Sequence, residues 1–195
     1  MSRWTEFFGN GSSPRGCWRS LYKPPVDKRT GDLQWRIVHG DIATYRYLVH
    51  LDPGTGDDCP FCSQTETIYH LFIQCSRLAR LYRQLKSWFQ GLEELFSFCL
   101  FIYSPQYSAK KKNVHTLINF MSGLAKLAIW KTRKNRVRGA GSEDVVMMLT
   151  GLLAARLRVE FEFYRLTKKT EVFVNIWGVW NVLCSVRENA LFLNF

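Results

Sequence analysis

The chain has 195 residues, a formal net charge of +11 at pH 7 and 47% hydrophobic residues. This length and composition allow a domain with a buried core and exclude a wholly disordered chain. The longest apolar run, Leu95–Tyr103, is far shorter than the roughly 20 residues that a membrane span needs. Because residues 1–16 also lack the apolar stretch of a secretion signal, we expect an intracellular protein, nuclear or cytoplasmic, with no membrane partner.

The N-terminal part of the sequence changes from irregular to helical. Residues 1–20 are rich in Gly and Ser without any hydrophobic period, which predicts a loose leader. A short helix is expected to start at Thr30 or Asp32 and to end at Gly40. Asp41 would cap a second helix, which runs towards the Asp-Pro-Gly turn before the first cysteine pair.

Helical periods dominate the rest of the chain. Apolar residues from Leu78 to Phe89 recur at helical spacing, and Leu95–Tyr103 fits a core strand or a short buried helix. One long helix should cover residues 113–138 and stop at the following glycines. Ser142 would cap the next helix, and a last helix is expected over Glu171–Val186.

A cluster of cysteines and one histidine interrupts these helices, in the segment CPFCSQTETIYHLFIQC. Its spacing is C-x2-C-x7-H-x4-C, formed by Cys59, Cys62, His70 and Cys75. Three cysteines and one histidine are a standard ligand set for tetrahedral zinc. A redox-active CxxC pair is disfavoured because no βαβ pattern surrounds it, and chance core cysteines are disfavoured by the polar loop before Cys59. We therefore expect one zinc ion.

The predicted zinc is structural, because four protein ligands leave no open position for a reacting water. Glu66, the one acid inside the cluster, would then orient or cap its neighbours. Residues five apart on a regular helix point about 140° away from each other. Cys75 should therefore lie at or past the end of the helix that carries His70, or the helix should be bent there.

These elements together predict a mostly α-helical domain with a small zinc knuckle, residues 59–75, inserted near the N-terminal third. We expect the leader at 1–20, a zinc-binding domain at 21–90 and a helical C-terminal region at 91–195. That last region includes a basic helix at 109–138.

The positive charge is concentrated in this basic helix, where residues 109–138 contain nine bases and no acid. Such a block favours a polyanionic partner, with RNA or single-stranded DNA expected first and an acidic protein as the alternative. A solvated helix face whose bases complement the helix dipole is the simpler interpretation. The predicted nucleic-acid-binding residues are Lys110, Lys111, Lys112, Lys126, Lys131, Arg133, Lys134, Arg136 and Arg138.

The cluster and its flanks resemble the C-terminal zinc-binding domain of LINE-type, non-LTR retrotransposon reverse transcriptases. The segment LQWRIVHGDIATYRYLVHL resembles the family's helix pair, and CPFCSQTETIYHLFIQC resembles its Cys-x2-Cys, Glu-Thr, His-Leu-Phe, Cys signature. The resemblance implies zinc ligation by Cys59, Cys62, His70 and Cys75. It also implies that the region helps to hold element RNA or target DNA during target-primed reverse transcription.

The sequence departs from a full element, which also carries an endonuclease and a polymerase with paired catalytic aspartates. The Asp57-Asp58 pair lies in a turn that leads directly into Cys59, a context unlike a polymerase hairpin. We therefore expect a non-enzymatic, zinc-stabilised nucleic-acid-binding domain with no catalytic residues and no small-molecule substrate. The alternatives are a structural or protein-interaction module and a translated retroelement remnant without selected function.

Overall fold

The structure, a computed structural model, describes residues 3–8, 17–105, 108–141 and 144–195. Helices account for most of the described chain, and a two-stranded hairpin lies at its C-terminal end. The mostly α-helical class is confirmed. The helices are α1 (Arg3–Phe8), α2 (Lys28–His39), α3 (Tyr45–Leu48), α4 (Ala79–Gly91), α5 (Phe98–Tyr103), α6 (Lys112–Val137), α7 (Val145–Leu166) and α8 (Thr170–Trp177), and the strands are β1 (Cys184–Arg187) and β2 (Ala190–Leu193).

Helix α6 is the centre of the fold. Its 26 residues give it a length of about 39 Å, and most of its side chains are buried. Helix α7 packs along it, and α2, α5 and α8 also contact it. One continuous hydrophobic core runs from Trp4 to Cys184, so both the 21–90 and the 91–195 regions contribute to it.

Helix α2 is fixed at both ends and packs closely on α6. The Asp27 carboxylate accepts the Thr30 N–H, so the N-cap lies before the two expected positions. Gly40 ends the helix in the left-handed conformation, as predicted. At the crossing with α6, a Cβ on Gly123 would lie 3.0 Å from the Thr30 methyl group, so any larger residue there would have to push α2 side chains aside.

Three further segments differ from or refine their expectations. The second N-terminal helix is the single turn α3, which follows Thr44 rather than Asp41. The apolar run Leu95–Tyr103 contains helix α5, capped by Ser97, so the short buried helix is the correct alternative. Asp144 caps α7, whereas the expected cap Ser142 lies outside the described residues.

The prediction of a last helix through Val186 is wrong beyond Trp177. Gly178 ends α8, and Trp180 and Asn181 then adopt positive φ angles of 48° and 55°. Strands β1 and β2 pair antiparallel, with Arg187 opposite Ala190. The intervening Glu188 and Asn189 have φ of 50° and 59°, the left-handed pair that a tight hairpin turn requires.

The N-terminal segment contains an ordered piece within the expected leader. Trp4 on α1 is fully buried, and its indole N–H donates to the Ile37 carbonyl at 2.7 Å. Residues 1–2 and 9–16 of that leader lie outside the described part of the chain, and its last residues belong to a short 3-10 helix, Cys17–Tyr22. Within the described ranges, the helices are too short or too polar to cross a lipid bilayer.

Candidate metal centre and nucleic-acid interface

The structure brings Cys59, Cys62, His70 and Cys75 to one point. Their ligand atoms all lie within 4.8 Å of one another. The Cys62 Sγ atom is 3.1 Å from His70 Nε2 and 3.6 Å from Cys75 Sγ. Three of the four residues are buried, and Cys62 is half-buried. Four soft or borderline donors thus converge in a largely enclosed site.

The first two ligands come from a tight turn. The Cys62 and Ser63 N–H groups both donate to the Cys59 carbonyl, at 3.3 and 2.9 Å, and Ser63 has a positive φ of 60°. The Phe61 N–H points at Cys59 Sγ at 3.4 Å. Backbone N–H groups directed at a sulfur stabilise its thiolate form, which is the form that binds metal.

The other two ligands come from a helical turn of unusual pitch. Residues His70–Gln74 form a π-helical turn, closed by a bond from the Cys75 N–H to the His70 carbonyl at 2.9 Å. The widened turn brings the sulfur of Cys75 back towards the face that carries His70. The expectation that Cys75 lies at a helix end is confirmed, since Cys75 ends this turn with extended φ and ψ.

Proximity shifts the pKa values of the Cys59 and Cys75 thiols in opposite directions. A hydrogen bond with the Cys75 thiol lowers the pKa of Cys59 to about 5, and burial opposes this shift. The same hydrogen bond raises the pKa of Cys75, and burial adds to that rise. One thiolate therefore forms readily here, and a bound cation would draw the second thiol into its charged form.

The donor set and its spacing fit one zinc ion. Zinc–sulfur bonds of about 2.3 Å and zinc–nitrogen bonds of about 2.0 Å in a tetrahedron separate the ligand atoms by roughly 3.5–3.8 Å. The observed separations of 3.1 and 3.6 Å lie close to that range. The Cys3His set supplies four ligands without help from a water, which is the composition of a structural zinc centre.

Glu66 connects this knuckle to helix α6. Its side chain is fully buried, and its two carboxylate oxygens accept from Arg133 Nε and Nη2, each at 2.6 Å. One oxygen also accepts the Tyr45 N–H at 2.7 Å. The two-pronged geometry is the strong form of an arginine–carboxylate pair. Glu66 therefore compensates the buried charge of Arg133.

Arg133 lies between two aromatic rings. Its guanidinium carbon is 4.9 Å from the ring centres of both Tyr45 and Trp130. One turn further along α6, the Arg136 guanidinium lies 5.1 Å from the ring centre of Phe61, which separates the first two cysteine ligands. Two arginines of the basic helix therefore contact the knuckle or a residue next to it. Arg133 pairs with Glu66 and stacks on Tyr45, and Arg136 stacks on Phe61.

The prediction that Lys126 and Arg133 contact phosphate is wrong. Lys126 is fully buried, and its ammonium donates to the Gln34 side chain at 2.9 Å and to the Ile102 carbonyl at 3.0 Å. Arg133 is held by Glu66. Both lie on the side of α6 that faces other elements, and a count of charges along the sequence does not show which side that is.

Two of the other C-terminal bases of α6, Lys131 and Lys134, line a groove against α2. This groove, of about 470 Å³, has Trp130, Lys131 and Lys134 on the α6 side and three exposed bases on the α2 side. Asp32 is the one acid among its lining residues, and it accepts a hydrogen bond from the Tyr22 hydroxyl. We call this surface the α2/α6 groove. Its bases are Lys28, Arg29, Arg36, Lys131 and Lys134.

The other predicted bases lie at the two ends of α6. Lys110, Lys111 and Lys112 are exposed at its start, where the Lys111 ammonium pairs with Glu94 at 2.5 Å. Arg138 is exposed just beyond its end. Lys112 precedes Trp130 by 18 residues, which is five full helical turns, or about 27 Å along the same face of α6.

The sequence alone does not indicate the contribution of α2 to the basic surface. Lys28, Arg29 and Arg36 lie outside the charge block, in a segment where bases and acids nearly balance. Their helical phase could have identified them, because Lys28, Asp32 and Arg36 follow one another at intervals of four and so share a face. Their proximity to Lys131 depends on how α2 packs on α6.

Comparison with known proteins agrees with the site. Residues 2–81 match the family described as zinc-binding in reverse transcriptase, a range that includes the whole knuckle. Over 188 residues, or 96% of the chain, the sequence is 31% identical to the Transposon TX1 uncharacterized 149 kDa protein of Xenopus laevis. The chain spans only 14% of that relative's length. No solved structure gives a significant match.

The resemblance to LINE-type reverse transcriptases drawn from the knuckle is therefore confirmed by two independent comparisons. The matched range contains every residue of the Cys3His cluster that the structure brings together. Residues 2–81 are thus similar to the zinc-binding domain of reverse transcriptases, and nearly the whole chain is related to one part of a transposon-encoded protein.

Proposed function

We propose that the chain is a non-catalytic nucleic-acid-binding module that holds single-stranded RNA or DNA in the α2/α6 groove. The observation that carries this proposal is the composition of the groove, which has five bases and one acid beside a half-buried indole. Such a lining attracts the phosphates of a nucleic acid, and the release of the counterions of these phosphates on binding contributes to affinity. The zinc knuckle would be the structural support of the surface.

A single strand fits this groove better than a duplex. Trp130 lies among the basic side chains with part of its ring accessible. Unpaired nucleobases can stack on such a ring. A second basic cluster, Lys110–Lys112, lies at the start of the same helix, where Lys112 is about 27 Å from Trp130 along the helix axis. A strand long enough to reach both clusters should therefore bind more tightly than a short one.

A further part of the proposed function is the lack of polymerase activity in this chain. The Asp57 carboxylate lies 3.4 Å from an Arg46 guanidinium nitrogen in the turn before the knuckle, which is a structural ion pair. We infer that the chain does not polymerise nucleotides, and incorporation of a labelled nucleotide by the purified chain would contradict this. We further propose an intracellular site of action, where reduced thiols remain available to zinc.

The test is a pair of charge-matched variants. Lys131→Gln/Lys134→Gln removes two bases of the groove, whereas Lys168→Gln/Lys169→Gln removes two exposed bases at the turn between α7 and α8. Binding of a labelled 20-nucleotide RNA is measured by fluorescence anisotropy at fixed salt. We expect a loss of about 10-fold or more for the groove variant and of less than about 3-fold for the control.

A competition experiment separates this function from the protein-interaction alternative. Excess unlabelled RNA should displace the labelled strand, and an acidic peptide of equal charge should displace it poorly. Equal losses in both charge variants would indicate non-specific attraction to a basic protein. Tight, saturable binding of the acidic peptide, unaffected by RNA, would favour a protein partner and overturn the proposal.

A further inference from the structure

A buried ion pair, Glu66 with Arg133, joins the zinc knuckle to the α2/α6 groove, next to the packing of Arg136 on Phe61. We infer that this pair makes nucleic-acid binding depend on zinc, with Glu66 acting as a positioning residue rather than a binding residue. The inference rests on the proposed function, because it assigns a control to the same groove. It follows from where each partner is anchored.

Glu66 is anchored from the metal side. It lies midway between two ligands, four residues after Cys62 and four before His70. A metal that holds both ligands therefore fixes the two ends of a short segment with Glu66 at its centre. The backbone of Glu66 is held as well, since its N–H donates to the Asp57 carbonyl at 2.7 Å and its carbonyl accepts the Arg46 N–H at 3.3 Å.

Arg133 is anchored from the groove side. It lies three residues after Trp130 on α6, and its guanidinium packs against the indole ring at 4.9 Å. The same indole also lines the groove, together with Lys131 and side chains of α2. Arg133 is itself 5% exposed, so it cannot reach a bound strand. Its position instead fixes Trp130 and the helical turn that carries Lys131 and Lys134.

The two anchors imply a linkage between zinc and nucleic acid. Without zinc, the segment around Glu66 loses the restraint on both of its ends, and the carboxylate no longer stays opposite Arg133. A buried guanidinium without its acid is strongly unfavourable. Arg133 must then move towards water, which displaces Trp130 and the last turns of α6. Because binding linkage is reciprocal, RNA should in turn tighten the binding of zinc.

The test is a linkage square with a matched control. Zinc-loaded and zinc-stripped proteins are each titrated with a 20-nucleotide RNA, for wild type and for Glu66→Gln/Arg133→Met. This double variant removes both buried charges together, which proteins tolerate far better than the loss of one. The control, Glu162→Gln/Arg165→Met, makes the same two substitutions in an exposed pair on α7 with a separation of 2.7 Å.

We expect zinc removal to weaken RNA binding by about 10-fold or more in the wild type and the control, within the usual range for linked sites. In Glu66→Gln/Arg133→Met, the stripped and loaded proteins should bind RNA within about 3-fold of each other. The inference is overturned if the double variant keeps the zinc dependence of the wild type, or if the wild type shows none.

A second measurement needs no RNA and no variant that could misfold. Amide hydrogen exchange in residues 127–137 is compared in wild type with and without zinc. Faster exchange there after zinc removal supports the inference, and unchanged exchange contradicts it. If the loaded wild type does not bind RNA at all, the proposed function fails, whereas the exchange result still decides whether zinc controls the end of α6.

Discussion

The zinc knuckle and the α2/α6 groove use charge in opposite ways. In the knuckle, the ligand sulfurs converge and the buried Glu66 carboxylate pairs with Arg133. In the groove, five basic side chains are accompanied by a single acidic side chain, Asp32. Compensated charge stabilises a fold, whereas uncompensated surface charge costs stability and is retained where a polyanion binds. The difference is the basis for our proposal that the knuckle supports the fold and the groove binds nucleic acid.

Helix α6 shows both uses within one run of bases. Arg133 and Lys126 point inward and are satisfied by protein groups, while Lys131 and Lys134 on the same helix face the groove. Residues of the same charge, one turn apart, therefore have different roles. Substitutions that separate these roles test the comparison directly.

The largest expected effect follows from the loss of a zinc ligand. Cys62→Ser removes one of four donors, and structural zinc contributes about 10 kcal/mol or more of apparent binding energy in zinc-finger peptides. We expect less than one tightly bound zinc per chain by elemental analysis and a clear fall in thermal midpoint.

The matched control for this loss is Cys99→Ser, because Cys99 is outside the cluster and half-buried. It should retain one zinc per chain. A zinc content of one in both variants would show that the cluster is not the metal site.

The next effect concerns the buried ion pair. Glu66→Gln leaves Arg133 buried without an acid, and we expect a loss of about 3–5 kcal/mol in the free energy of unfolding measured with urea. Glu66→Gln/Arg133→Met should be distinctly more stable than the single variant, since neither charge remains. If the single and double variants were equally unstable, the pair would not be the link between knuckle and α6.

A smaller effect separates inward from outward lysines. Lys131→Met should lower the slope of log affinity against log salt by about 0.7, the value for one phosphate contact on a single strand. Lys126→Met should leave the slope unchanged, because its ammonium is enclosed by Gln34 and the Ile102 carbonyl. The salt dependence of RNA binding by each single variant checks this prediction, and an equal change in both slopes would argue against it.

The smallest effect concerns pH. Burial lowers the pKa of His115 from its ordinary value near 6.5, Glu94 opposes that shift, and Lys111 adds to it. The unfolded chain therefore takes up this proton first, so stability falls as pH drops from about 6.5 to the lower folded-state pKa. His115→Gln should flatten this part of the stability curve while leaving stability above pH 7 little changed. Urea unfolding from pH 5 to 8 measures the difference, and identical curves would refute the assignment.

The sequence predicted the features that depend on local spacing. The ligands could be found because their spacing has one sensible use, and α6 and α2 could be found because their apolar periods and end glycines are clear. The C-terminal hairpin was missed because its turn uses Glu188 and Asn189 rather than a glycine, and the apolar residues before it also fit a helix.

The composition of the groove was only half predictable. The sequence located the charge on α6, but the inward turn of Lys126 and Arg133 depends on Gln34 and Glu66, which lie 92 and 67 residues away along the chain. The contribution of Lys28, Arg29 and Arg36 depends on the close crossing of α2 over Gly123. Such long-range packing leaves no trace in local spacing.

The salt dependence of single-stranded RNA binding by the zinc-loaded chain tests the central claim most directly. Five groove bases on a single strand predict a log–log slope of about −3.5, or a loss of about 100-fold between 50 and 200 mM salt. That slope, reduced in Lys131→Gln/Lys134→Gln and kept in Lys168→Gln/Lys169→Gln, is the result we predict. A slope near zero, or equal slopes in all three proteins, would contradict the assignment of the α2/α6 groove as a phosphate-binding surface.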